Sequence, residues 1–207
     1  SKDIPAVEAA LCEPLSCSAY AVNQTGMGME DTVVISGLGA IGMGMLQFAL
    51  LRNPKRVIGI DTNDALCEIA KKLGAAEVLN PMKEDVTKRI MELTDGVGCD
   101  IYMEATGNPA SVETGMNCLR KQGMLFIYSV FKKKAEIDLN QISEFKELRV
   151  IGGHLSPGAF PYTIDCLEKG KINAKVMVTD IFGLNEIDEA MSAKKPDRVS
   201  IKTVLVP

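Results

Sequence analysis

The sequence predicts an α/β fold, a doubly wound parallel sheet of six strands with flanking helices. Three observations predict it. Runs rich in Val and Ile are short and apolar on both faces, as central parallel strands must be. They alternate with helix-length segments almost to the end of the chain, and repeated β-α units imply right-handed crossovers. Several helical segments stop at glycine: Gly74 after "IAKKL", Gly123 after "LRKQ" and Gly170 after "CLEK".

In chain order, "TVVISG" (32–37) is a strand followed by the helical "AIGMGMLQFALLRN". "RVIGID" (56–61) precedes "NDALCEIAKKLG", and "AEVLN" (76–80) precedes "EDVTKRIMELTDG". "CDIYMEAT" (99–106) precedes a helix over "PASVETGMNCLRKQG" (109–123), and "MLFIYSV" (124–130) and "RVIGGH" (149–154) supply the last two core strands. Between those two, "AEIDL" (135–139) reads as a short edge strand, because three apolar residues alternate with two acids, and "QISEFKEL" (141–148) reads as a helix. The segment before Thr32 reads as helices packed on the sheet's edge. A helical piece at 184–195 leads to a final strand in "VSIKTVLVP".

A chain of 207 residues, 46% hydrophobic and 24% charged, is long enough for a sizeable core. Its net charge of −4 argues against nucleic acid or an anionic membrane as partner. The basic run Lys132-Lys133-Lys134 reads as a solvated loop. No apolar stretch reaches the length of a membrane span, and no signal peptide is expected. Cys12, Cys17, Cys67, Cys99, Cys118 and Cys166 are scattered, without a C-x-x-C pair or a histidine at ligand spacing. They read as free buried thiols in a reducing cytoplasm rather than a disulfide framework or a zinc site.

Gly37-Leu38-Gly39-Ala40-Ile41-Gly42 follows a strand and opens a helix, and Asp61 ends the next strand, 19 residues after Gly42. G-x-G-x-x-G alone is weak, but this context is that of a dinucleotide-binding Rossmann turn. Gly37 permits the tight turn, Gly39 lets the backbone approach a pyrophosphate, and Gly42 lets the helix pack closely on the strand. The helix N-terminus, through Ala40 and Ile41, offers N–H groups to the anion. Asp61 accepts hydrogen bonds from the adenosine ribose. A carboxylate facing the 2′-phosphate of NADP is repelled by about 4 kcal/mol at about 4 Å and an effective dielectric of about 20, so NAD is the expected cofactor. S-adenosylmethionine-dependent methyltransferases also place a Gly-rich turn and an acid in these positions, generally without the third glycine.

The runs "CEPLSCSAYAV", "VVISGLGAIGMGMLQFA", "VIGIDTND", "DIYMEATGNPASVETGMNCLRKQGMLFIYSV", "ELRVIGGH" and "SIKTVLVP" together resemble the cofactor-binding half of zinc-dependent medium-chain alcohol dehydrogenases, in the polyol, sorbitol and threonine dehydrogenase branch. The resemblance implies one NAD-binding domain over 1–207, in which 1–31 and 155–207 are flanking segments that would join an N-terminal catalytic lobe. In such enzymes zinc acidifies an alcohol and hydride passes from its carbon to the nicotinamide; the metal's Cys and His-Glu ligands match nothing in this chain, so zinc is expected in a full-length enzyme and not in this chain alone. Glu13 of "EPL" is implied to sit beside that zinc or its water, though a carboxylate also suits the first turn of a helix. Thr106 and Gly107 are implied to line the dinucleotide, with the main chain at Ser129, Val130 and Phe131 fixing its nicotinamide end. Gly153 and its neighbour Gly152 are implied to close that pocket. His154, the chain's only histidine, is implied as a substrate or cofactor contact beside the plainer reading of a structural residue. Many relatives carry a basic residue five positions after the acid; Leu66 stands there, which implies a more apolar adenosine pocket.

The resemblance further implies a small alcohol or polyol substrate and a homodimer through 135–139, with a tetramer as an alternative. Two rival functions stay open: a stand-alone NAD-binding module without chemistry, and a zinc-free quinone or enoyl reductase, which the acid at Asp61 disfavours.

Overall fold

A computed structural model describes residues 3–192 and 199–207. A single turn α1 (Ala6–Ala9) and a longer α2 (Cys12–Thr25) precede the alternating units β1 (Thr32–Ser36), α3 (Ala40–Leu50), β2 (Arg56–Ile60), α4 (Asp64–Leu73), β3 (Glu77–Leu79) and α5 (Val86–Leu93). The second half runs β4 (Cys99–Glu104), α6 (Pro109–Cys118), β5 (Leu119–Ile127), β6 (Arg149–Gly152) and α7 (Phe160–Glu168). It ends in β7 (Val178–Gly183), α8 (Ile187–Ser192) and β8 (Lys202–Val206). The six-stranded parallel sheet has the order β3-β2-β1-β4-β5-β6. From β1 the chain goes to β2 on one side, whereas β4 pairs with β1 on the other, so a crevice opens at the carboxyl ends of β1 and β4.

Strand alternation divides the core into two layers. Val33 and Ile35 face Leu15, Val22, Met43, Leu46 and Phe48 beneath α2, α3 and α7. Val34 on the opposite face joins Ile58, Tyr102, Val112 and Ile90 beneath α5 and α6. Each such side chain, once fully buried, contributes about 1.5–3 kcal/mol. The helix α2 lies against α3 and α7 on the sheet's face, not at its edge as expected from sequence. Gly44 allows this approach: a Cβ there would lie 2.4 Å from Ser18 Oγ. The Ser18 hydroxyl donates to Ile41 O at 2.8 Å, which ties the two helices together.

Gly74 (φ +116°) ends α4 in the left-handed region, and Gly170 (φ +61°) stands just past α7, as their positions predict. Gly123 does not cap a helix. The helix expected over 109–123 stops at Cys118, and Gly123 is buried inside β5. Lys146 explains the early stop: its Nζ donates to the carbonyls of Met116, Asn117 and Leu119 at 2.7, 2.9 and 2.8 Å, satisfying the groups a helix end leaves unpaired.

The segment expected as a strand over 135–139 forms none; Ile137 and Leu139 are exposed, and among the described residues no strand pairs with it. The expected helix at 141–148 is one π-turn, Gln141–Phe145. The strand β7 was not anticipated, and it pairs in parallel with β8 in a separate two-stranded sheet. The helix expected over 184–195 begins as a 3-10 turn, Leu184–Glu186, and continues as α8; residues 193–195 lie outside the described residues. No described helix is long and apolar enough to cross a membrane.

Candidate dinucleotide site

The turn between β1 and α3 uses its glycines for three different purposes. Gly37 takes φ +93°, and a Cβ there would lie 2.8 Å from the carbonyl of Ala105. Gly42 is buried against the same turn, where a Cβ would lie 1.7 Å from Gly37 O. Gly39 is the reverse case: a Cβ would meet nothing within 4 Å, so this backbone faces open space. Gly39 is also the N-cap of α3, and neither a side-chain cap nor an acidic residue occupies the helix's first turn. The N–H groups of Ala40, Ile41 and Gly42 therefore begin an eleven-residue helix without a side-chain acceptor, and a helix dipole adds positive potential there.

Asp61 reaches back to this turn from the end of β2. Its Oδ2 accepts from Leu38 N at 2.7 Å and its Oδ1 from Asn63 N at 2.9 Å. Two carboxylate oxygens offer about four acceptor sites, so capacity remains for a ligand's hydroxyls. The acid thus fixes the glycine turn and faces the crevice at once. The Cys67 thiol beneath it is pushed up to about 11 by burial and by the Asp61 charge, which keeps it protonated and unreactive near neutrality.

A cleft of about 420 Å³ lies at the switch point between β1 and β4, with Gly37, Gly39, Asp61, Thr106 and Ser111 on its wall. Four residues expected from sequence, Gly37, Gly39, Asp61 and Thr106, are therefore brought together. Gly107, Ser129 and Val130 occupy the adjoining loops, where a Cβ on Gly107 would lie 2.6 Å from Val130 O. The Phe131 ring lies with Val112, Lys132 and Ile137 in a separate groove on the α6 side, where it joins the core layer, so only its main chain is left to face the cofactor. Leu66 is buried in the core beneath α4 and does not line the cleft.

Glu13 and His154 are exposed, and neither lines this cleft. The Cys17 thiol lies 3.6 Å from Glu13 Oε1, one helical turn on, and burial raises its pKa. The loop that carries His154 is tied down at two points. The Tyr128 hydroxyl donates to Leu155 O, and the Ser16 hydroxyl donates to Ser156 Oγ at 2.8 Å. Gly153 lies under the rings of Tyr128 and Phe126, with room for no Cβ (2.7 and 2.8 Å). Among the described residues no group of three or more His, Cys, Asp or Glu stands together.

Sequence reasoning missed Glu104, Ser36 and Ser111. The hydroxyls of Ser36 and Ser111 meet at 2.9 Å on the cleft wall. Glu104 is wholly buried at the end of β4, and its Oε1 accepts from Thr106 N at 2.8 Å, from Gly107 N at 3.1 Å and from the Thr106 hydroxyl. A signal existed, since an acid in the otherwise apolar run "IYMEAT" asks for partners.

The family model described as "Zinc-binding dehydrogenase" matches residues 40–169. The chain belongs to this family. Erythritol/L-threitol dehydrogenase from Mycolicibacterium smegmatis is 40% identical over all of this chain, which spans 57% of that relative. Among solved structures, 2R,3R-butanediol dehydrogenase from Bacillus subtilis superposes with TM-score 0.90 at 26% identity, over 100% of this chain and 59% of that one. A structure from Sinorhizobium meliloti described as a "putative zinc-binding dehydrogenase", bound to NADP, gives TM-score 0.90 at 27% identity, over 99% of this chain and 61% of that one. The sheet and turn of this chain are those of a Rossmann-type dehydrogenase domain.

The two glycines should separate fold from binding. Gly42→Ala should cost about 3 kcal/mol or more in urea denaturation, because its Cβ meets backbone that has nowhere to move. Gly39→Ala should stay within about 0.5 kcal/mol of the parent, since its Cβ meets open space. Equal losses for the two would contradict this division.

Proposed function

We propose that this chain is the NAD(H)-binding part of a zinc-dependent alcohol or polyol dehydrogenase. The observation that carries the reading is the uncapped N-terminus of α3 facing the cleft beside Asp61. The N–H groups of α3's first turn hold the pyrophosphate, Asp61 accepts from the adenosine ribose, and Gly39 leaves the backbone bare where the phosphates approach. Thr106, Gly107, Ser129 and Val130 hold the cofactor toward its nicotinamide end, and Gly153 closes that side. The main chain at Phe131 joins them there, while its ring anchors the loop in the core. The bound nicotinamide supplies a hydride acceptor or donor. The residues of this chain orient it and keep water from one of its faces.

Because this chain spans 57% of its erythritol/L-threitol dehydrogenase relative, the remaining machinery is assigned to a catalytic lobe built from other sequence. Residues 1–31 and 155–207 are the segments that meet it. Exposed Leu155, Phe160, Ile181, Leu184 and Met191 support that reading, since such apolar surface calls for a cover. In the assembled enzyme Glu13 stands beside the zinc or its water, and His154 contacts substrate or cofactor. The substrate is a small alcohol or polyol, and the working compartment is the cytoplasm.

The cofactor choice follows from Asp61. The Sinorhizobium neighbour holds NADP, but in this chain a 2′-phosphate would face a carboxylate. Calorimetric titration should find NAD bound more tightly than NADP, and Asp61→Ser should narrow or reverse the preference. Equal affinities in the unmutated chain would contradict the assignment.

Association completes the reading. The 135–139 segment has no strand partner among the described residues, and its exposed Ile137 and Leu139 suit pairing with a second copy across a two-fold axis. Light scattering should report a dimer, and Ile137→Pro, which removes a backbone donor, should give a monomer with NAD binding intact. A proline variant that remains dimeric would exclude this interface.

A further inference from the structure

We propose that Glu104 is a positioning residue for the nicotinamide half of the cofactor, acting through the loop between β4 and α6. The proposal rests on the cofactor reading above. Glu104 is fully buried between two strands, in register with Ser36 of β1 and Ile127 of β5. A carboxylate at that depth is strongly unfavourable unless donors surround it. Its donors all come from the next three residues, Thr106 N (2.8 Å), the Thr106 hydroxyl and Gly107 N (3.1 Å). Hydrogen bonds to a charged acceptor are among the stronger ones, so the carboxylate sets the path of the loop.

The same residue also grips the neighbouring loop. Its main-chain carbonyl accepts from Tyr128 N at 3.0 Å and from the Ser129 hydroxyl at 3.3 Å. The loop it holds is wedged on both sides. Ala105 abuts the glycine turn, where a Cβ on Gly37 would lie 2.8 Å from its carbonyl. On the other side Gly107 (φ +70°) abuts Val130 O. A dinucleotide that runs from Asp61 toward Val130 has to cross this wedge. The adenosine half, at Asp61 and the glycine turn, meets only the near side of this loop, where Ala105 and Thr106 line the cleft, and stops short of the Gly107–Val130 contact.

A carboxylate that served only the fold would alter stability and every ligand alike. One that positions the loop should alter the nicotinamide half selectively. Glu104→Gln keeps the shape but turns one acceptor into a donor facing N–H groups. Titration calorimetry should show NAD binding weakened about tenfold or more in Glu104→Gln, with AMP binding changed by less than about threefold. Glu104→Asp, which keeps the charge, should recover part of the NAD affinity. In the unmutated chain without ligand, the amides of Thr106 and Gly107 should already be protected from hydrogen exchange, a readout that requires no variant to fold. Rapid exchange at both amides, NAD affinity within about twofold of the parent in a folded Glu104→Gln chain, or equal loss of NAD and AMP would each overturn the proposal. Absence of NAD binding by the unmutated chain would instead overturn the cofactor reading on which it rests.

Discussion

The approach of α3 to the end of β1 is the constraint on which the rest of the molecule depends. At Gly42 the helix comes so near the turn that a Cβ would lie 1.7 Å from Gly37 O. Only glycine fits, and with it the helix seats Met43 and Leu46 on Ile35 in a layer where all three are fully buried. The same seating aims the bare helix N-terminus into the cleft and brings Leu38 N within 2.7 Å of Asp61. Core packing and the geometry of the cleft are thus one arrangement. A residue that pushed the helix off the strand would lose both.

Two carboxylates at strand ends repeat one device. Asp61 at the end of β2 and Glu104 at the end of β4 each accept backbone N–H groups from a loop that borders the cleft. They differ in burial. Asp61 is half-buried and keeps acceptor capacity toward the cleft, whereas Glu104 is sealed and spends its capacity on its own loop. One leaves acceptors free toward the cleft and the other closes on its own loop.

The parts of the fold legible in the sequence were those governed by local periodicity and steric necessity. The Val- and Ile-rich strands, the left-handed caps at Gly74 and Gly170, and the glycine turn with its acid all carry their reasons within a few residues. What escaped reading depends on distant partners. The end of α6 is set by Lys146, 28 residues beyond Cys118, so "NCLRKQG" looked helical in isolation. The strand β7 exists because β8 pairs with it, and Asp180 in its middle disguised it. The cleft was legible through Gly37, Gly39, Asp61 and Thr106, which belong to compact motifs. Ser111 is not, because it reaches the cleft only when α6 packs on β4 and brings its hydroxyl to Ser36 of β1. The Phe131 ring follows apolar surface, which lies on the α6 face, while its place directly after β5 concerns the main chain alone.

The most direct measurement is a crystal structure of the chain grown with NAD. The account predicts the pyrophosphate against the N–H groups at the start of α3, the adenosine ribose on Asp61, and the nicotinamide ribose beyond Thr106 toward Val130. Cofactor density that avoids the α3 N-terminus, or a ribose held away from Asp61, would contradict it.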